Sequence, residues 1–295
     1  MSDFVRQNAI VQNFTRNSWC ILNPIERSIK EKIEKIGVPL KDWDIKIYRG
    51  ILTGCNEAFI IDGATKDALI AQDPKSAEII RPILRGRDIK RYSYDFADKW
   101  LITTFPSKHY NIDDYPAIKN YLLSFGKEKL EQSGKKDIGG IKGNNARKRT
   151  NNKWFETQDT IAYWDDFSKQ KIVWARLMRI SKSNLTDFPR FSLVKEEIYP
   201  IDSLCFFTGD NLEYLQSILN SEFATYWFFN NIAILDNGGM QMRQQYIEKF
   251  PIPEQRTSDE KIILDNDIYS RFGFSNEEIN FIKECISLKV KDIMQ

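Results

Sequence analysis

The stretch IKIYRGILTGCNEAFIID runs from Ile45 to Asp62, and its reading decides the fold class. Ile45 and Ile47 alternate with Lys46 and Tyr48, which is the period of a half-buried strand. Ala58–Asp62 is a second strand candidate. Gly50 and Gly54 stand between the two and are expected to permit a tight turn, with Thr53 and Asn56 capping backbone groups there. Two strands this close, with no helix-length segment between them, already argue against a regular alternation of strand and helix.

Working outward, NPIERSIKEKIEKIG (Asn23–Gly37) places Ile25, Ile29, Ile33 and Ile36 on one helical face. Pro24 suits its first turn and Gly37 its end, so an amphipathic helix is predicted. SAEIIRPILRGRDIKRY (Ser76–Tyr92) opens on a capping serine and is interrupted by Pro82, which predicts a short helix or turn and then a basic loop. KWLITTF (Lys99–Phe105) reads as a strand, and YPAIKNYLLSFGKEKLEQSG (Tyr115–Gly134) as one helix. Further strands are expected at TIAYW (Thr160–Trp164), KIVWARL (Lys171–Leu177), RFSLV (Arg190–Val194) and SLCFFT (Ser203–Thr208). Asp210–Asn231 has Leu212, Leu215, Ile218, Leu219 and Phe223 at helical spacing and is read as a single helix. A capping-box pattern, Ser275 to Glu278, opens a terminal helix. Helices and strands are mixed without β-α-β alternation, so the class is α+β: a mixed sheet with an N-terminal amphipathic helix and a C-terminal helical tail. The expected organisation is an N-terminal extension over 1–17, one domain over 18–254 and the helical tail over 255–295.

At 295 residues, 42% hydrophobic and 28% charged, the chain has the composition of a globular protein with a sizeable, aromatic-rich core. Cys20, Cys55, Cys205 and Cys285 are widely separated, with no C-x-x-C pair. They read as reduced, mostly buried thiols and not as a zinc site or a disulfide framework. No apolar run approaches the roughly 18 residues of a membrane span, and the N-terminus lacks the pattern of a secretory signal. The expected location is the cytoplasm.

The net charge is only +2, yet Lys135–Lys153 holds seven cationic residues and one acid, Asp137. This segment is rich in Gly and Asn and has no hydrophobic period, so it is predicted to be a loop. Charge concentrated this way fits a polyanion, and Arg and Asn are the side chains that grip guanine and adenine edges bidentately. The candidate DNA contacts here are Lys142, Asn144, Asn145, Arg147, Lys148, Arg149 and Lys153; the alternative is a solvated loop. Taken as an exposed arginine, Arg147 is expected to matter less for stability than Gly54. A second group is Arg85, Arg87, Lys90 and Arg91, read as phosphate contacts, the alternative being that Arg85 or Arg87 pairs with Asp88 and other acids inside the fold. A third is Gln241, Arg243 and Gln244, carried beyond the flexible glycine tip Gly238–Gly239. The Gly50–Asn56 turn has a DNA-contacting reading beside its structural one.

Catalytic chemistry is not visible. The lone histidine, His109, has no helix-spaced second ligand and reads as a surface or packing residue. Carboxylates near lysines, as in WDDFSKQK, are expected by chance at this composition. No phosphate-cradling glycine motif is present. Asn23-Pro24-Ile25-Glu26 has the first two residues of the Asn-Pro-Pro-aromatic motif that grips an extruded base, but lacks the second proline and the stacking ring, and it falls at a helix start. No catalytic residue and no metal ligand are assigned.

Three stretches taken in order carry a resemblance. YRGILTGCNEAFIID with RPILRGRDIKRY resembles the front of the TaqI-like specificity domain. That domain is the C-terminal target-recognition part of adenine-N6 DNA methyltransferases and of fused type II restriction-modification enzymes. KWFETQDTIAYWDDFSKQKIVWARL resembles its middle, and LQSILNSEFATYWF followed by YIEKFPIP its end. DIYSRFGFSNEEINFIKE is similar to the helical tail of such enzymes. The resemblance spans about residues 18–285. It implies a domain that recognises a short duplex DNA sequence and positions a target adenine for N6 methylation, and in some enzymes directs cleavage. The catalytic methyltransferase or nuclease domain would lie elsewhere in the same or a partner chain. This chain would then need no cofactor, while the parent enzyme would need S-adenosylmethionine, and magnesium if it cleaves. Half of a type I specificity subunit is the neighbouring alternative; a magnesium-dependent nuclease and a module binding an acidic protein are alternatives of other classes.

Overall fold

The computed structural model describes residues 22–181, 185–236, 238–257 and 259–294. Its centre is an antiparallel sheet with the order β2 (Ile45–Arg49), β10 (Leu204–Gly209), β6 (Lys171–Ala175) and β8 (Phe191–Val194). Phe206 of β10 pairs with Tyr48 on one side and Val173 on the other. The two inner strands carry the apolar runs IVWA and LCFF, and β6 is buried along its whole length. A second sheet has the order β3 (Ile60–Asp62), β5 (Lys99–Ile102), β4 (Ile80–Leu84) and β9 (Tyr199–Pro200). Only its β4–β9 pair is parallel, at Ile83↔Tyr199 and Leu84↔Pro200. Two short ribbons complete the strands: β1 (Val38–Pro39) with β12 (Pro251–Ile252), and β7 (Met178–Arg179) with β11 (Gly239–Met240). The architecture is α+β with mixed sheets.

The Ile45–Asp62 stretch joins the two sheets, since β2 belongs to the first and β3 to the second. It is a crossing and not a hairpin. Gly50 passes so close to Ile201 that a Cβ would lie 2.1 Å from its carbonyl oxygen. Gly54 has φ +77°, a conformation that strains any side-chain-bearing residue. Buried Thr53 accepts a bond from the Cys55 N–H at 3.1 Å and donates to Asn56 Oδ1 at 2.7 Å. The strand expected at Ala58 begins later: Asn56–Phe59 is a single helical turn and pairing starts at Ile60.

Other elements differ from their sequence reading for local reasons. Asp73, not Ser76, caps the 3₁₀ turn Pro74–Ile79, and Pro82 lies within strand β4. Pro82 is the last β4 residue paired with β5, before pairing passes to β9, so its missing N–H falls where one ladder ends. The helix expected over Tyr115–Gly134 is two, Pro116–Leu123 and Lys127–Leu130, parted at Gly126 with φ +89°. Thr160–Trp164 is not a strand; Ile161 takes φ +52° and a 3₁₀ turn follows over Trp164–Phe167. The helix expected over Asp210–Asn231 is likewise two, Leu212–Leu219 and Glu222–Asn231, the second capped by Ser221.

The Pro24–Ile36 helix packs against the C-terminal helices. Asn23 and Glu26 form a reciprocal capping box at the start of Pro24–Ile36, with bonds of 2.8 and 2.9 Å, so Asn23 has a structural function. Ser275 and Glu278 form the second box, opening the Asn276–Met294 helix. Glu278 also accepts from Lys32 and Ser28 of the first helix, each at 2.6 Å. Phe223, Phe228, Phe250, Phe272 and Phe274 form one aromatic cluster. Among the described residues, no helix is long and apolar enough to cross a membrane.

Candidate functional site

Three neighbouring clefts share lining residues. The largest, about 1010 Å³, is lined by Arg85, Arg87, Lys90, Arg176, Arg179 and Arg190, against the two acids Asp187 and Asp202. Arg176 also lines the next cleft, with Arg49, Arg243, Gln244 and Gln245. Asn56 of the large cleft also lines the third, with Gly54, Asn145 and Arg147. Arg176 and Asn56 are thus each shared by two of the clefts.

The elements that place these cations differ. Arg85–Asp88 is a turn closed by its own ion pair: Arg85 Nε and Nη2 donate to the two Asp88 oxygens at 3.0 and 2.8 Å, and Arg85 N–H donates to Oδ2 at 2.8 Å. The carboxylate holds the Arg85 guanidinium above its ordinary pKa. Of the two readings of this group, the intramolecular pair holds for Arg85. Arg87, between them, is exposed and has no partner among the described residues. Lys90 is exposed, 3.8 Å from Asp95. Arg91 departs from the expectation: it donates to the carbonyls of Thr186, at 3.0 Å, and of Asn220, while its backbone N–H donates to Asp187. It lines none of the three clefts and ties two loops together.

Arg176, Arg179 and Arg190 were not singled out in the sequence. Arg176 follows the last residue of β6 and donates to the Asp202 carbonyl at 2.9 Å. Arg190 precedes β8, is only 9% exposed, and donates to the Arg179 carbonyl at 3.3 Å. Burial pushes its pKa down. Leu177 stands among them 48% exposed, an apolar side chain inside a cationic cleft. The Arg-x-x-Arg spacing at the end of a buried strand was the available signal.

The basic loop divides. Arg147 is 4% exposed and donates to four carbonyls, those of Leu130, Thr53, Glu156 and Trp154, at 2.6 to 2.9 Å. Burial pushes its pKa down to about 10, so it remains charged at neutral pH. A guanidinium used in this way is a staple of the fold and cannot reach a base edge, which corrects its reading as a DNA contact. Asn145 lines the third cleft and accepts from the Asp137 N–H at 3.1 Å. Asn144 donates to Ile138 O. Lys142, Lys148, Arg149 and Lys153 are exposed but line none of the three clefts.

The glycine tip, read from the sequence as flexible, takes part in a strand pairing. Gly239 pairs with Arg179 in the β7–β11 ribbon, and Gly238 O accepts from Ile180 N–H. Arg243 and Gln244 are thereby brought beside Arg176; Gln241 is half-buried and lines none of the three clefts. His109 is exposed, and Cys205 is buried while Cys55 and Cys285 are half-buried. Cys20 lies outside the described residues. No group of three or more His, Cys, Asp or Glu among the described residues could hold a metal.

No curated protein matches the chain. Solved structures share its fold, among them two restriction-modification enzymes. The type IIL restriction-modification enzyme MmeI, solved in complex with DNA, superposes with a TM-score of 0.54 at 13% identity, over 86% of this chain and 36% of MmeI. The type IIG restriction endonuclease BpuSI superposes with a TM-score of 0.50 at 13% identity, over 91% of this chain and 32% of BpuSI. The chain spans about a third of the length of either. Residues 81–252, more than half of the chain and the part that contributes most of the cationic cleft, match a single family. The chain belongs to the TaqI-like C-terminal specificity domain family.

Proposed function

We propose that this domain recognises a short sequence in duplex DNA and presents an adenine to a catalytic domain outside this chain. The observation that carries the proposal is the large cleft, whose six cationic side chains face two acids and which continues through Arg176 to Arg243 and Gln244. Cations along such a cleft grip phosphate, and Arg and Gln side chains read base edges. The match to a specificity family and the fold shared with restriction-modification enzymes support it. DNA as partner also agrees with a cytoplasmic location.

The cleft does not suit the cofactors of such enzymes. S-adenosylmethionine carries a sulfonium cation and magnesium needs carboxylate oxygens, whereas this lining is predominantly cationic. Both groups are assigned to the catalytic domain. Methyl transfer to an adenine would require that base to leave the stack, and the present domain would hold the flanking duplex while it does.

The test is selection of bound sequences from a random duplex pool with the 295-residue chain, followed by affinity measurements over a salt series. A single enriched motif, with affinity falling steeply as salt rises, is expected. Binding that enriches no motif, or that ignores salt, would overturn the proposal.

A further inference from the structure

The cationic side chains of the large cleft are not equivalent. Arg85 is held by Asp88, Arg176 by the Asp202 carbonyl, and Arg190 by the Arg179 carbonyl with Asp187 at 3.9 Å. Arg179 also has a partner. Arg87 is the one guanidinium of this cleft that no described residue holds, and it is exposed along the cleft's lining. Its backbone is nevertheless fixed. The 3₁₀ turn Gly86–Asp88 is closed by the Arg85–Asp88 pair, the Gly86 N–H donates to Ser203 Oγ at 3.0 Å, and Asp88 O accepts from the Asp95 N–H at 2.8 Å. A free guanidinium on a clamped turn is what bidentate recognition needs, because the planar fork must arrive in one orientation.

We propose that Arg87 reads a guanine in the recognised sequence, pairing bidentately with its O6 and N7. The assignment rests on the DNA-recognition reading above and adds to it which residue discriminates, and for which base. Arg243 is the rival: it too is exposed and has no side-chain partner among the described residues. It stands, however, at the start of a four-residue helix, Gln244–Ile247, and makes no side-chain cap bond there. Arg85, Arg176 and Arg190 are positioning or phosphate-facing residues, their donors already partly engaged.

The experiment uses the full chain and the duplex it selects. Affinity is measured for that duplex and for versions with each guanine replaced, in wild type, Arg87→Ala, Arg87→Lys and Arg243→Ala, with a melting temperature for each protein. Wild type is expected to lose about 5- to 150-fold at one guanine position. Arg87→Ala should bind guanine and its replacements equally there while discriminating normally elsewhere. Arg87→Lys should keep the salt dependence and weaken the preference without abolishing it, since an ammonium can donate to O6 and N7 but lacks the rigid planar fork. Unchanged melting temperatures would set aside a purely structural effect. Arg87→Ala retaining every preference, or weakening all duplexes equally, overturns the assignment, as does a selected site without guanine. Arg243→Ala alone abolishing the guanine preference overturns it too. A wild-type chain that selects no sequence refutes the recognition reading, and this assignment with it.

Discussion

Arg147 donates from Nη1 to the carbonyl of Thr53 at 2.9 Å, across 94 positions of chain. Its Cδ would stand 3.0 Å from a Cβ on Gly54, the next residue. The glycine turn and the basic loop are therefore one construction, in which Gly54 leaves room for the arginine that anchors the loop.

Arg147→Ala removes the donors of four carbonyls at once and should cost roughly 3–5 kcal/mol, since a buried polar group left without its partner costs about 1–3 kcal/mol and water re-supplies some of the four. Gly54→Val should cost less, about 1–3 kcal/mol from the positive φ, with some addition from crowding against Gln158. This reverses the order expected when Arg147 is taken as exposed. Urea unfolding of both variants and of the double variant checks it; the double should fall short of the sum, because the two sites touch.

Lys171 is fully buried and donates to the carbonyls of Phe167, Lys169 and Glu196 at 2.7, 3.1 and 3.0 Å. Burial pushes its pKa down to about 8. In the unfolded chain a lysine holds its proton to about pH 10.4. Between these values the unfolded state binds more protons, so stability gained from this group rises with pH. The unfolding free energy of wild type minus that of Lys171→Met should therefore be flat below about pH 8 and climb towards about pH 10.4. A difference that falls in that window would contradict the burial of the charged amine.

Glu278 joins the two terminal helices through Lys32 and Ser28. Its burial works to raise its pKa, and the bonds from Lys32, Ser28 and the Ser275 N–H overcome that and hold it below the ordinary glutamate value. A carboxylate with a lowered pKa contributes stability above its unfolded pKa and loses it as pH falls through the folded one. Glu278→Gln should thus resemble wild type more closely at acid pH than at neutral pH. Thermal melts from about pH 7 to about pH 3 follow the convergence.

For DNA binding, the clefts rank the lysines and arginines. Replacing Lys90 and Arg179 by Ala should lower the slope of log K against log salt by about 0.9 for each phosphate left unneutralised, roughly 2 for the pair. Replacing Lys148 and Lys153, which line none of the clefts, should change it by less. Equal effects of the two pairs would move the phosphate-gripping surface out to the basic loop.

The inner strands were legible because LCFF and KIVWA are apolar runs of strand length, and their pairing in one sheet buries them on both faces. The break in the Asp210–Asn231 helix was not. Asn220 turns its side chain to the edge of β8, accepting from the Phe191 N–H at 3.0 Å and donating to the Phe191 carbonyl at 2.8 Å. No local period announces a side chain used as a strand partner. The site was half legible for the same kind of reason. Arg85, Arg87 and Lys90 are neighbours in sequence and could be seen as a group, whereas Arg176, Arg179 and Arg190 meet them only through the sheet topology. Nor can composition say which of the adjacent Arg147 and Lys148 is buried, since a partner across the fold decides it.

The large cleft draws its lining from four separated parts of the chain, around Asn56–Ile60, Arg85–Lys90, Arg176–Arg179 with Asp187–Arg190, and Ile201–Ser203, and Arg176 serves the next cleft as well. A reading surface of this build has no single loop that can be lifted out as a cassette. Grafting one stretch from a relative would bring new side chains into a frame set by the other three, with Arg176 transmitting the mismatch to the neighbouring cleft. New targets are then better sought by exchanging single free side chains, Arg87 and Arg243 first, or by transplanting the four stretches together.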